Sequence, residues 1–128
     1  MSEPLDLTEL QLAVMRVLWV RGEATVAEVH GAIEPDRGLA LTTVATIMTR
    51  LEKQGLIGRR PEGRHYQYRP LVSEEEVRRS MVTGLAERLF AGDVTALVSH
   101  LLSESEIAPG DLERVRRMLE AKRRGKEP

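Results

Sequence analysis

Apolar side chains recur three and four positions apart along most of this chain, and one short stretch breaks the rhythm. Thr8-Glu-Leu-Gln11 has the form of a capping box, and Leu10, Ala13, Val14, Val17 and Leu18 follow at helical spacing. This pattern predicts a first helix that ends near Arg21-Gly22. Thr25-Val-Ala-Glu28 is a second capping box, ahead of a short helix with Val26, Val29 and Ile33 on one face that stops before Pro35. A third helix is predicted over 42–54, with Val44, Ile47, Met48 and Leu51 as its stripe and Gly55 closing it. Then the period shortens to two. Tyr66 and Tyr68 alternate with polar neighbours, and Pro61-Glu-Gly63 has turn chemistry, so 57–70 reads as a two-stranded hairpin ending at Pro70. Ser73-Glu-Glu-Glu76 is a third capping box and opens a long helix with Val77, Met81, Leu85 and Leu89. Gly92-Asp93 interrupts. Val94, Leu97, Val98, Leu101 and Leu102 form another stripe, and Leu112, Val115, Met118 and Leu119 lie on a last helix that starts at Pro109.

The expected fold is therefore mostly α. Three helices and a hairpin, a winged helix-turn-helix plan, precede a helical region, with domains expected at 1–72 and 73–128. The chain has 128 residues and is 41% apolar, enough for a core. It has no cysteine, which excludes disulfides, thiolate metal sites and a thiol nucleophile. No apolar run is long enough to span a membrane, and the acidic start lacks the form of a signal peptide, so a cytoplasmic protein without membrane insertion is expected.

The net charge of −1 argues at first against nucleic acid. Divided along the chain, it says the opposite. Residues 1–36 hold two basic and seven acidic side chains, residues 37–70 seven basic and two acidic, and residues 71–128 ten basic and eleven acidic. The positive segment coincides with the third helix and the hairpin. Opposite the apolar stripe of that helix lie Thr42, Thr43, Thr46, Thr49, Arg50 and Lys53. Threonine is a mediocre helix former, and four on one face are better suited to meeting phosphates, base edges and thymine methyls. A solvated threonine face is the alternative. Arg59, Arg60 and Arg64 are expected near the hairpin tip, with His65, against the DNA backbone or minor groove; a charged edge kept soluble is the alternative there. The candidate DNA contacts are Thr42, Thr43, Thr46, Arg50, Arg59, Arg60, Arg64 and His65.

Several segments are similar to one family. Leu7 to Trp19 resembles the opening helix of the penicillinase repressor (BlaI/MecI) family. Thr42 to Leu56 resembles its recognition helix, Tyr66-Gln-Tyr68 its second wing strand, and Gly92 to Val98 part of its dimerisation region. The similarity spans roughly residues 5–120. It implies a homodimeric winged-helix repressor of a near-palindromic operator, with a membrane metallopeptidase sensor often acting upstream. Thr43, Thr46 and Arg50 match positions of the family's DNA-facing helix. Ala45 stands where well-known members carry arginine, which implies a different operator. His100-Leu101 replaces the Asn-Phe bond that is cut in antibiotic-responsive members, which puts inducible cleavage there in doubt. The copper-responsive branch uses C-terminal cysteines, and this chain has none.

The residues themselves also point to a dimer. Short helices are marginal alone and must cover their apolar faces. Leu85, Leu89, Val94, Leu97, Val98, Leu101, Leu102, Val115 and Leu119 are the candidate dimer contacts. The alternative is that these helices fold back on the winged domain. His30, His65 and His100 lack metal-ligand spacing, Glu74–Glu76 is a helix start rather than a catalytic pair, and no nucleophile has an identifiable base. No enzyme, metal or cofactor is expected. A winged-helix module for protein assembly is the alternative to a DNA-binding repressor.

Overall fold

The computed structural model describes residues 5–104 and 108–125. In chain order the elements are α1 (Glu9–Arg21), α2 (Val26–Arg37), α3 (Leu41–Lys53), β1 (Ile57–Glu62), β2 (His65–Pro70), α4 (Glu74–Phe90), α5 (Val94–Glu104) and α6 (Pro109–Arg123). The chain divides into two compact units, Met1–Leu85 and Ala86–Pro128, with the division inside α4.

All three capping boxes form. The Thr8 and Thr25 hydroxyls accept from the Gln11 and Glu28 amides at 3.1 Å each. Ser73 Oγ accepts from the Glu76 amide at 3.0 Å while Glu76 Oε1 accepts from the Ser73 amide at 3.0 Å. The backbone and hydroxyl of the cap residue hold the Glu28 and Glu76 carboxyls below the usual carboxylate range. A carboxyl whose pKa is depressed on folding adds stability above its unfolded value and loses it as pH falls through the folded value. The thermal midpoint is accordingly expected to drop on acidification below roughly pH 4. Replacing both glutamates by glutamine should shrink that drop, and calorimetry across pH 3–6 measures it.

Helix α2 does not stop before Pro35 but runs to Arg37, where Gly38 in the left-handed conformation caps it and donates to the Glu34 carbonyl at 2.8 Å. Pro35 sits in the last turn, and the residue whose carbonyl loses its donor, Gly31, is exposed to water. The turn of the hairpin also lies later than expected. Pro61 and Glu62 belong to β1, and the loop is Gly63-Arg64. A two-residue loop favours a positive φ at its first position, which Gly63 supplies at 61°. It makes Glu62 and His65 a hydrogen-bonded pair, so Pro61 opposite Tyr66 falls in the next, non-hydrogen-bonded pair. The missing N–H of Pro61 therefore lies on an outer edge and removes no ladder bond.

The core of the first unit is built by α1, α2, α3, the first residue of β1 and the start of α4 around Val14, Met15, Leu18, Val29, Val44, Met48, Leu51, Ile57 and Val77, all essentially without solvent contact. Trp19 is half-buried against this core, and its Nε1 donates to the Val72 carbonyl at 2.9 Å. The segment leaving the hairpin is thereby tied to α1. In the second unit the Asp93 carboxylate caps α5 through the Ala96 amide at 3.0 Å. Among its described residues the buried apolar ones are Ala86 and Leu97, and α6 buries none.

Candidate nucleic-acid interface

Helix α3 is strongly two-sided. Val44, Met48 and Leu51 face the core, while Thr42, Thr43, Thr46, Thr49, Arg50 and Lys53 are exposed. The stripe and the polar face fall where the 3.6-residue period puts them, and the helix runs one residue earlier than expected at each end. Thr46 and Thr49 donate their hydroxyl protons back to the Thr42 and Ala45 carbonyls at 3.0 and 2.9 Å. With those protons committed, what the two residues turn outward is a methyl group and oxygen lone pairs. Ala40 precedes the helix without a side-chain cap, which leaves the positive end of the α3 dipole free of an internal anion.

The wing stands beside this helix on a defined base. Ala24 donates to the Tyr68 carbonyl at 2.9 Å and Tyr68 donates to Ala24 at 2.8 Å, so β2 pairs on its outer side with the α1–α2 connection. Sequence reading missed this bridge. Residues 24 and 68 carry no local signal for each other. Tyr68 is buried, whereas Tyr66 is exposed and lies under the Arg59 guanidinium, 4.2 Å from its ring centroid.

The structure separates the expected basic contacts into two groups. Arg59 pairs with Glu52 at 3.1 Å, and Arg60 pairs with Glu23 and Glu62. Both arginines lie along β1, opposite Tyr68 and Gln67, rather than at the tip. Arg64 is in the tip loop and His65 opens β2 next to it; both are exposed. Among the described residues, the side chains of Arg50, Lys53, Arg64 and His65 make no hydrogen bond or ion pair with the rest of the chain. Four basic groups thus stand free on α3 and the wing tip.

The candidate dimer contacts fall differently as well. Leu85, Leu89, Val94, Val98, Leu101, Leu102, Val115 and Leu119 are exposed, from 38% at Leu85 to 68% at Leu89; Leu97 is only 8% exposed and is packed within its own chain. His100 lies beside the Phe90 ring with centroids 5.9 Å apart. No group of His, Asp and Glu that could hold a metal occurs among the described residues, and none of their helices is long and apolar enough to cross a membrane.

Three helices, a bridged two-stranded wing and an outward-facing polar third helix define the winged helix-turn-helix class. The model of the penicillinase repressor family matches residues 7–121, and the chain belongs to that family. It is similar to the methicillin resistance regulatory protein MecI of Mammaliicoccus sciuri, 23% identical over 117 residues that cover 91% of this chain and 95% of that protein. Its identity to the transcriptional regulator BlaI of Mycobacterium tuberculosis is 36% over 104 residues, 80% of this chain and 75% of the relative. Among solved structures, the monomeric form of Bacillus licheniformis BlaI in complex with the blaP half-operator superposes with a TM-score of 0.51 at 26% identity, over 59% of this chain and 93% of that one.

Proposed function

We propose that this protein is a cytoplasmic transcriptional repressor that occupies a near-palindromic operator as a homodimer. Residues of the first unit read DNA, and residues after α4's midpoint join two chains. The observation that carries the reading is the free outer face of α3. Thr42, Thr43, Thr46 and Arg50 line it, it has no internal carboxylate partner, and it begins at an uncapped helix end suited to a phosphate. The half-operator complex supports it, since 93% of that BlaI chain superposes on this one.

In this proposal Arg50 reads a base edge, and the thymine-like methyl contacts come from Thr46. Arg64 and His65 meet the flanking backbone. The exposed apolar faces of α5 and α6 pair with those of a second chain, and two-fold symmetry sets two recognition helices on two half-sites. Repression then follows from occupancy. The family resemblance adds a membrane metallopeptidase sensor upstream, with His100-Leu101 not serving as its cleavage bond.

Selection of bound duplexes from a random pool, followed by affinity measurement across salt, tests the reading. A repeated, inverted sequence is expected, with affinity falling steeply as salt rises. An unselected pool and a flat salt response would favour an assembly module instead. Arg50→Ala is expected to lower affinity for the selected sequence by about 1–3 kcal/mol per half-site and to relax preference at one base pair in each. An equal loss on all sequences would instead make Arg50 a backbone contact.

A further inference from the structure

We infer that Arg60 and Glu23 form a strut that sets the position of the wing, and that the wing's charge contact with DNA is made by Arg64 rather than Arg60. The inference rests on the DNA-binding reading above and adds roles to two residues. Arg60 Nε donates to Glu23 Oε2 at 2.8 Å and Nη2 to Glu23 Oε1 at 2.7 Å, so both carboxylate oxygens are engaged by one planar fork. The same Nη2 lies 2.8 Å from Glu62 Oε2. One guanidinium therefore faces two carboxylates, and Arg69 acts on Glu23 from β2 as well, so the charge of Arg60 is already balanced within the cluster. A phosphate approaching Arg60 meets both carboxylates, and Arg60 reaches a phosphate only after a bidentate pair is broken.

The place of this cluster gives it a mechanical role. Glu23 adjoins Ala24, which holds Tyr68 through two backbone hydrogen bonds. The same connection between α1 and α2 thus grips β2 by its backbone and β1 by the Arg60 side chain. A backbone bridge at one residue pair acts as a pivot, and a second attachment on the other strand stops rotation about it. Arg64 lies in the turn beyond β1, roughly 10 Å from Arg60 along the strand direction, so a small tilt at the base moves the tip by more. Glu23 is a positioning residue for Arg64.

Binding of the full-length chain to its selected duplex, measured from low to high salt, tests this. Arg64→Gln is expected to flatten the dependence of log affinity on log salt by about 1.8, the loss of one phosphate contact in each of the two half-sites. Arg60→Gln should weaken binding by about threefold to tenfold with the slope unchanged. Adding Glu23→Gln to Arg60→Gln should weaken it no further, because the pair acts as one unit. A slope flattened by Arg60→Gln as much as by Arg64→Gln overturns the inference, as do additive losses or undiminished binding by Arg60→Gln. Arg60 is exposed and Glu23 is half-buried at the surface, outside the apolar core, so the variants should remain folded. Without DNA, amide hydrogen exchange at Ala24 and Tyr68 should quicken about threefold in Arg60→Gln and in Glu23→Gln, each made alone, and unchanged exchange at both amides also overturns it. Failure of the wild-type chain to bind any duplex would instead refute the DNA reading, and the exchange measurement then decides the strut alone.

Discussion

Replacing Leu101 and Leu102 together by lysine is expected to give a monomer whose operator binding is about a hundredfold weaker. Both side chains lie on α5 and are about half exposed, 49% and 48%, so neither substitution opens a hole in the chain's own packing. What each would lose is burial against a second copy, and two lysines held in an apolar interface carry a desolvation cost that no partner offsets. Neither residue belongs to the first unit, which bears α3 and the wing. Affinity for a duplex with one half-site should therefore be unchanged while affinity for the inverted pair collapses. Light scattering on both proteins and titration on both duplexes measure this. A wild-type chain that is monomeric at micromolar concentration, or equal losses on half and whole operators, would defeat the dimer.

Leu51→Ala is expected to lower unfolding free energy by about 2–5 kcal/mol. Leu51 has no solvent contact, sits on the inner face of α3 among Val44 and Met48, and its carbonyl accepts the Leu56 amide at 3.0 Å at the turn toward the wing. Truncation leaves a void where the recognition helix meets the core. In a domain of this size that is a large share of the total stability. Lys53→Ala, two residues further along the same helix and exposed, should leave stability within about 0.5 kcal/mol of wild type. Urea unfolding of the pair provides the comparison. A loss below about 1 kcal/mol for Leu51→Ala would mean that α3 is not held by this stripe.

What was legible in the sequence was local. Thr8, Thr25 and Ser73 each find their partner three residues on, a distance the chain itself displays. The two-sidedness of α3 follows from its period, and the alternation around Tyr66 and Tyr68 marked the hairpin. The misplacements have physical reasons of the same scale. Pro35 carries the local signature of a stop, but a proline in a final turn over an exposed Gly31 leaves only one carbonyl to water. Pro61 has the chemistry of a turn residue, but its position in the ladder needs no N–H.

Nonlocal pairings were not legible. Arg60 and Glu23 are separated by 37 residues, and nothing in the composition of either neighbourhood distinguishes Arg60 from the unpaired Arg64. Charge counting found the positive segment but gave every arginine in it equal weight. The stripe containing Leu97 had the same limit. Periodicity shows which residues share a face, not whether that face meets its own chain or another, and Leu97 proves to be packed within its own. The division of the chain inside α4 has the same origin, since Val77 at the start of that helix is buried in the core of the first unit.

The indole of Trp19 has a use beyond holding Val72. It is the chain's one tryptophan, half-buried and hydrogen-bonded at the exit of the wing. Its ultraviolet emission is therefore a native optical gauge of a single joint, needing no attached dye. Loosening of the segment after Pro70 should shift that emission toward the red.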